Sequence, residues 1–101
     1  MKVYESEIEE IAKRYFLSKN QYKVESFSSG KEDYFNPYYQ YYRNIEIAFS
    51  KLDEDSKLII NNDYFYNSYF GWWKVIFTER EYLSKKKKAK REFIKYVNQI
   101  N

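Results

Sequence analysis

The sequence predicts an all-α chain of about five helices. Three observations carry that expectation. Apolar residues between Val3 and Phe16 recur at three- and four-residue steps. Asn36 followed by Pro37 has the side-chain acceptor and the fixed φ of a helix start. Thr78 and Glu81 have the spacing of a capping box ahead of a long amphipathic run. At 101 residues the chain suits one compact domain, and its 44% hydrophobic and 23% aromatic content supplies the apolar area that offsets chain entropy.

In order, the first helix runs from Val3 to about Lys19 on Val3, Tyr4, Ile8, Ile11, Ala12, Tyr15 and Phe16. Residues 20–35, with Ser26, Ser28, Ser29 and Gly30 and no clear period, read as a loop and an internal boundary. A second helix follows from Pro37 to about Lys51. Asp53-Glu54-Asp55 places acids where a third helix begins, and Asn67-Ser68 marks its end. Trp72 to Phe77 fits either a helix of two turns or a strand. The last helix opens at Thr78 and reaches about Gln99.

Residues 1–73 hold nine Lys/Arg against twelve Asp/Glu, whereas residues 74–101 hold nine against three. The basic character therefore belongs to the C-terminal end. The chain has no Cys and no His, which closes off thiol and imidazole catalysis, disulfides and Cys/His zinc sites. No spacing of the remaining Tyr, Lys and carboxylates converges on a reaction, so neither an enzyme nor a cofactor is expected. Met1 to Glu7 runs into acidic helix-like sequence with no apolar signal region, and no stretch of about 18 apolar residues occurs; the expected location is cytoplasmic, without a membrane partner.

At 100° per residue, Tyr82, Ala89, Phe93, Tyr96, Val97 and Ile100 share one side of the last helix. Arg80, Ser84, Lys87, Lys88, Arg91 and Lys95 share the other. A cationic stripe of this kind contacts phosphates, with affinity that falls steeply with salt, or else keeps a Tyr-rich protein solvated.

Residues 52–93 resemble the C-terminal promoter-reading region of bacterial sigma factors and of some phage transcription regulators. Leu52 to Ile60 is similar to its opening helix, Tyr64-Phe65 to the aromatic pair that ends it, and Trp72 to Ile76 to the supporting helix. Thr78-Glu79-Arg80-Glu81-Tyr82 looks like the capped start of the recognition helix, with Ala89 and Phe93 at its later core positions. Val75-Ile76-Phe77 departs from the family, whose turn usually holds Gly, and Trp72 stands where Ala is common. The pattern Asn62-Asp63-Tyr64-Phe65, Trp72-Trp73 and a basic helix is also similar to small proteins of cell-wall-less, AT-rich bacteria, the mollicutes.

The resemblance implies a C-terminal helix-turn-helix over 53–101 whose helix 79–97 lies in the major groove of double-stranded DNA. Glu79, Arg80, Ser84 and Lys85 would then sit nearest base edges, and Lys87, Lys88 and Arg91 near phosphates, with Lys95 further along the stripe. It also implies a role in transcription and RNA polymerase as a further partner. Residues 1–52 would be an N-terminal helical element that binds a partner or forms a homodimer. The competing expectation is a protein interaction module with no nucleic-acid activity, its basic helix docked on an acidic partner. Each remaining motif has a plainer explanation beside the functional one. Of Trp72-Trp73, one is expected in the core and one as a partly exposed lid; Tyr38 to Tyr42 is core or a dimer face more often than a stacking platform; and Asp53 to Asp55 is a helix cap, not a metal cluster.

Overall fold

In the computed structural model, which describes residues 4–100, the chain is all-α: four α-helices joined by turns, with no strand among the described residues. Val3, expected at the start of the first helix, and Asn101, in the expected C-terminal module, lie outside the described residues.

Helix α1 (Glu5–Ser29) continues well past its predicted end at Lys19, so most of the predicted loop is helix. Ile8, Ala12, Tyr15, Ser18 and Tyr22 are its buried line. Beyond Tyr15 that line is carried only by Ser18 and Tyr22, too narrow a stripe to register as a period. Contacts from α2 (Pro37–Ser50) hold residues 20–29 in place instead: the Tyr22 and Tyr39 rings lie 5.1 Å apart, and Asn36 Nδ2 donates to Glu25 Oε1 at 2.9 Å. The helix stops where Gly30, at φ 69°, turns left-handed and its N–H donates to Ser26 O at 3.0 Å.

The α2 start is the expected one, with Asn36 Oδ1 accepting from Tyr38 N at 2.8 Å and Pro37 in the first turn. The helix runs antiparallel to α1, and Tyr15 donates its hydroxyl to Glu46 Oε2 at 2.7 Å across the pair. Tyr39, Tyr41 and Tyr42 are half-buried between the two helices, with the Arg14 guanidinium 4.2 Å from the Tyr41 ring. These tyrosines act as helix-packing side chains.

Helix α3 (Glu54–Ile60) starts on Asp53, whose Oδ1 accepts from Ser56 N at 2.8 Å, and widens into a π-helical turn over Asn61–Phe65. The segment ends at Asn67, at φ 45°, close to the predicted end. Trp72–Val75 is a single 3-10 turn rather than a strand or a helix of two turns. Helix α4 (Glu79–Ile100) completes the fold. The expectation of about five helices thus becomes four α-helices plus these two short turns.

One core draws on both halves of the sequence. Ile8, Ile45, Ala48, Ile59, Ile60, Ala89 and Phe93 are at most 1% exposed, and burial of each large member contributes about 1.5–3 kcal/mol. The Phe65 ring stands edge-on to Phe93 at 5.9 Å and to Tyr15 at 5.5 Å, so the π-helical turn delivers the aromatic that joins α1 to α4. No helix among the described residues is long and apolar enough to cross a membrane.

Candidate nucleic-acid interface

Helix α4 is fixed by its first turn and its apolar side. Thr78 Oγ1 accepts from Glu81 N at 3.1 Å while Glu81 Oε1 accepts from Thr78 N at 2.9 Å, the reciprocal capping box the sequence predicts. The hydrogen bond from the Thr78 N–H, and after it the Thr78 side chain, lower the Glu81 carboxyl from its ordinary value. Tyr82, Ala89, Phe93, Ile94 and Val97 are buried, which aims the opposite face at solvent.

On that open face Arg80, Ser84, Lys87, Lys88, Arg91 and Lys95 are all exposed, and Glu79 is exposed at the first turn. They stand on a helix of 22 residues, about 33 Å long at 1.5 Å per residue. Lys85 lies on the shoulder of the helix and is partly covered. The stripe is therefore one continuous surface, but its charges are not equivalent.

Helix α3 and its turn run antiparallel to α4, and their acids reach one edge of the stripe. Lys85 Nζ meets Asp55 Oδ2 at 2.9 Å and Lys88 Nζ meets Asp53 Oδ2 at 3.0 Å. Hydrogen bonds from the Ser56 N–H and then from Lys88 hold the Asp53 carboxyl down at about 2. The Asp55 carboxylate raises Lys85 above its ordinary value. Lys95 has a loose contact of 3.9 Å to Glu92 on its own helix. Arg80, Lys87 and Arg91 have no acid partner among the described residues. Spaced at 80, 87 and 91, they share a narrow arc of the helix and carry its uncompensated charge.

Lys86 and Lys90, on the other shoulder, serve the fold. Lys86 Nζ pairs with Asp63 at 3.2 Å, and Lys90 Nζ with Glu5 at 3.4 Å. Asp63 also accepts from Trp72 Nε1 at 2.7 Å and from the Tyr82 hydroxyl, and Glu5 accepts from the Tyr64 hydroxyl at 2.7 Å. These partly buried carboxylates anchor the start of α1 and the Trp72–Val75 turn to α4.

Trp72 is buried, and half-buried Trp73 lies flat on Tyr82 with centroids 4.4 Å apart and planes at 6°. Next to them, sequence reasoning missed an exposed apolar tip: Phe70 is 95% exposed and Val75 87%, beside exposed Tyr69, Ile76 and Leu83. The one signal for it was Gly71 between aromatic residues, which at φ 79° turns the chain outward. It also missed Asp53 and Asp55 as partners of the stripe, because their local role as helix-start acids accounts for them fully.

No protein-family model, curated protein or solved structure matches the chain.

Proposed function

We propose that the protein binds double-stranded DNA through the open face of α4, in the transcription-related role that its likeness to sigma-factor promoter-reading regions implies. The observation that carries this reading is the arc of Arg80, Lys87 and Arg91, exposed on one helix face and without acid partners among the described residues. Cations held this way keep their charge for phosphates, and each phosphate neutralised releases condensed counterions. Ser84 lies between them, and the arc begins in the first turn of α4, the end from which a helix in the major groove reaches base edges. Lys85 and Lys88, tied to Asp55 and Asp53, lie along one edge of the arc and contribute less net charge.

The Trp72–Val75 turn occupies the place of the supporting helix in the sigma-like likeness, and it is a four-residue 3-10 turn. The proposal therefore rests on the charge of α4 and not on a helix-turn-helix geometry. Fluorescence titration of the protein with duplex DNA at two salt concentrations tests it. Binding that weakens by orders of magnitude from low to moderate salt is expected; no binding at low salt would overturn the reading.

A second reading, a protein interaction module that forms a homodimer, is favoured by Phe27 and Phe35. They are 90% and 91% exposed near the far end of the α1/α2 pair. Sedimentation of the protein across a range of concentrations separates the two, because only this reading requires a dimer without DNA.

A further inference from the structure

Helix α1 carries apolar residues on two sides. Ile8, Ala12, Tyr15 and Tyr22 pack inward, while Leu17, Val24 and Phe27, on the far side of the helix, stand 62%, 60% and 90% exposed. With Lys13 and Asn20 they step by four, three, four and three residues, the alternation that keeps one seam of a helix turned toward a partner helix. Nothing among the described residues covers this seam. From Leu17 to Ser29 only Ser18 and Tyr22 are buried, and the Tyr22 ring packs on Tyr39 and Tyr42 of α2. The charges differ from one end of the seam to the other. Exposed Lys13 and Arg14 stand near its start. Exposed Glu32 and Asp33 follow just past its end, where they accept from the Tyr34 hydroxyl and the Phe35 N–H. None of these four charges has an ion-pair partner among the described residues. The last turn of α1 holds no basic residue, although helix-end carbonyls favour a cation there.

We propose that the occupant of this seam is a second copy of the chain, the two α1 helices antiparallel, with Leu17, Val24 and Phe27 of each interleaved about Asn20. The proposal rests on the homodimer reading and names the surface that reading needs. Antiparallel pairing carries Lys13 and Arg14 of each copy to the end of the other α1, beside the partner's Phe27, Glu32 and Asp33. There they meet an aromatic ring, two carboxylates and the uncapped helix end. The same pairing sets exposed Glu10 toward the partner's Lys31. Parallel pairing would set each of these charges against its own copy, like against like. It would also crowd the two cores together, because Ile8 and Tyr15 embed the first half of α1 in the core, whereas the second half projects with α2. In the antiparallel pair the cores lie at opposite ends. Asn20, polar in the middle of an apolar seam, favours one register over its neighbours. An anionic membrane would meet Glu10, Glu32 and Asp33 at the ends of the same seam and be repelled by them.

The test uses the full chain. Sedimentation equilibrium over a range of concentrations should show a monomer–dimer equilibrium, which Leu17→Glu or Val24→Glu weakens by about tenfold or more, the scale of one large apolar side chain left in water. Both side chains are exposed in the single chain, so helical content and melting temperature should match the wild type. Phe35→Ala, beyond the end of α1, should leave dimerisation unchanged. The chain has no Cys, so introduced thiols report the pairing. Mild oxidation of a mixture of Lys13→Cys and Ser28→Cys should link the two variants to each other and neither to itself. A wild type that stays monomeric at every concentration would overturn the seam and the homodimer reading together, and leave the α4 reading standing. A dimer that survives Leu17→Glu and Val24→Glu but is lost with Phe35→Ala would overturn the seam alone. Self-linking of Lys13→Cys would overturn the antiparallel pairing.

Discussion

Lys88 Nζ and Asp53 Oδ2 lie 3.0 Å apart, so the residue that caps α3 also neutralises a cation of the α4 stripe. Asp53 is held near 2 against an ordinary value of 3.8. A lowered folded-state pKa contributes stability that is complete above the unfolded value and is lost as pH falls toward the folded one. Asp53→Asn should therefore flatten the loss of stability between about pH 4 and pH 2, measured by urea unfolding. At neutral pH Asn still caps the helix, and Asp53→Ala should cost about 1 kcal/mol. Releasing Lys88 should also steepen the salt dependence of duplex binding by up to about one unit.

The unequal charges of the stripe predict unequal variants. Lys87→Gln with Arg91→Gln should lower the slope of log affinity against log salt by about 2 units on every duplex. Lys85→Gln with Lys88→Gln should lower it by less, because those amines already face carboxylates. Arg80→Ala should instead cost about 1–3 kcal/mol on a preferred site and little on random duplex, the mark of a base contact. Titrations at several salt concentrations separate the three, and equal effects from the two double variants would contradict the role assigned to Asp53 and Asp55.

The capping box gives a stability prediction independent of function. Thr78→Ala removes the acceptor for Glu81 N and should destabilise the protein by about 1 kcal/mol in thermal unfolding. A change near zero would mean that α4 begins elsewhere.

Ala89 is fully buried among the core residues of α4. Ala89→Leu forces extra volume into that contact and should cost about 1–3 kcal/mol. An unaltered melting temperature would place residue 89 at the surface.

Six of the 13 tyrosines are raised above the ordinary phenol value, Tyr34, Tyr41 and Tyr42 among them, and the other three should titrate last. Burial, then a hydrogen bond to a carboxylate, raises Tyr15 (Glu46), Tyr64 (Glu5) and Tyr82 (Asp63) well above the usual phenol range. Phenols raised in the folded state add stability that is complete below the unfolded value of about 10 and is lost as pH climbs above it. Ultraviolet titration should show a delayed group of phenols whose ionisation coincides with alkaline unfolding. Tyr64→Phe should move that unfolding to higher pH.

Features whose causes are local were legible in the amino-acid order alone. Asn36-Pro37, Asp53 and the Thr78–Glu81 pair each satisfy amides within three residues, so their helix starts are legible from spacing alone. The broad apolar side of α4 fixed its phase, and with it the basic face. Features that depend on distant partners emerge only from the packing of the helices. Residues 20–29 stay helical because α2 packs against Tyr22 and Glu25, a contact with no trace in local periodicity. The π-helical turn places Phe65 between Tyr15 and Phe93. Which cations of α4 remain uncompensated was settled by Asp53 and Asp55, 35 and 30 residues away from Lys88 and Lys85. A stripe is a property of helical geometry, but its net field depends on the charges that folding brings beside it.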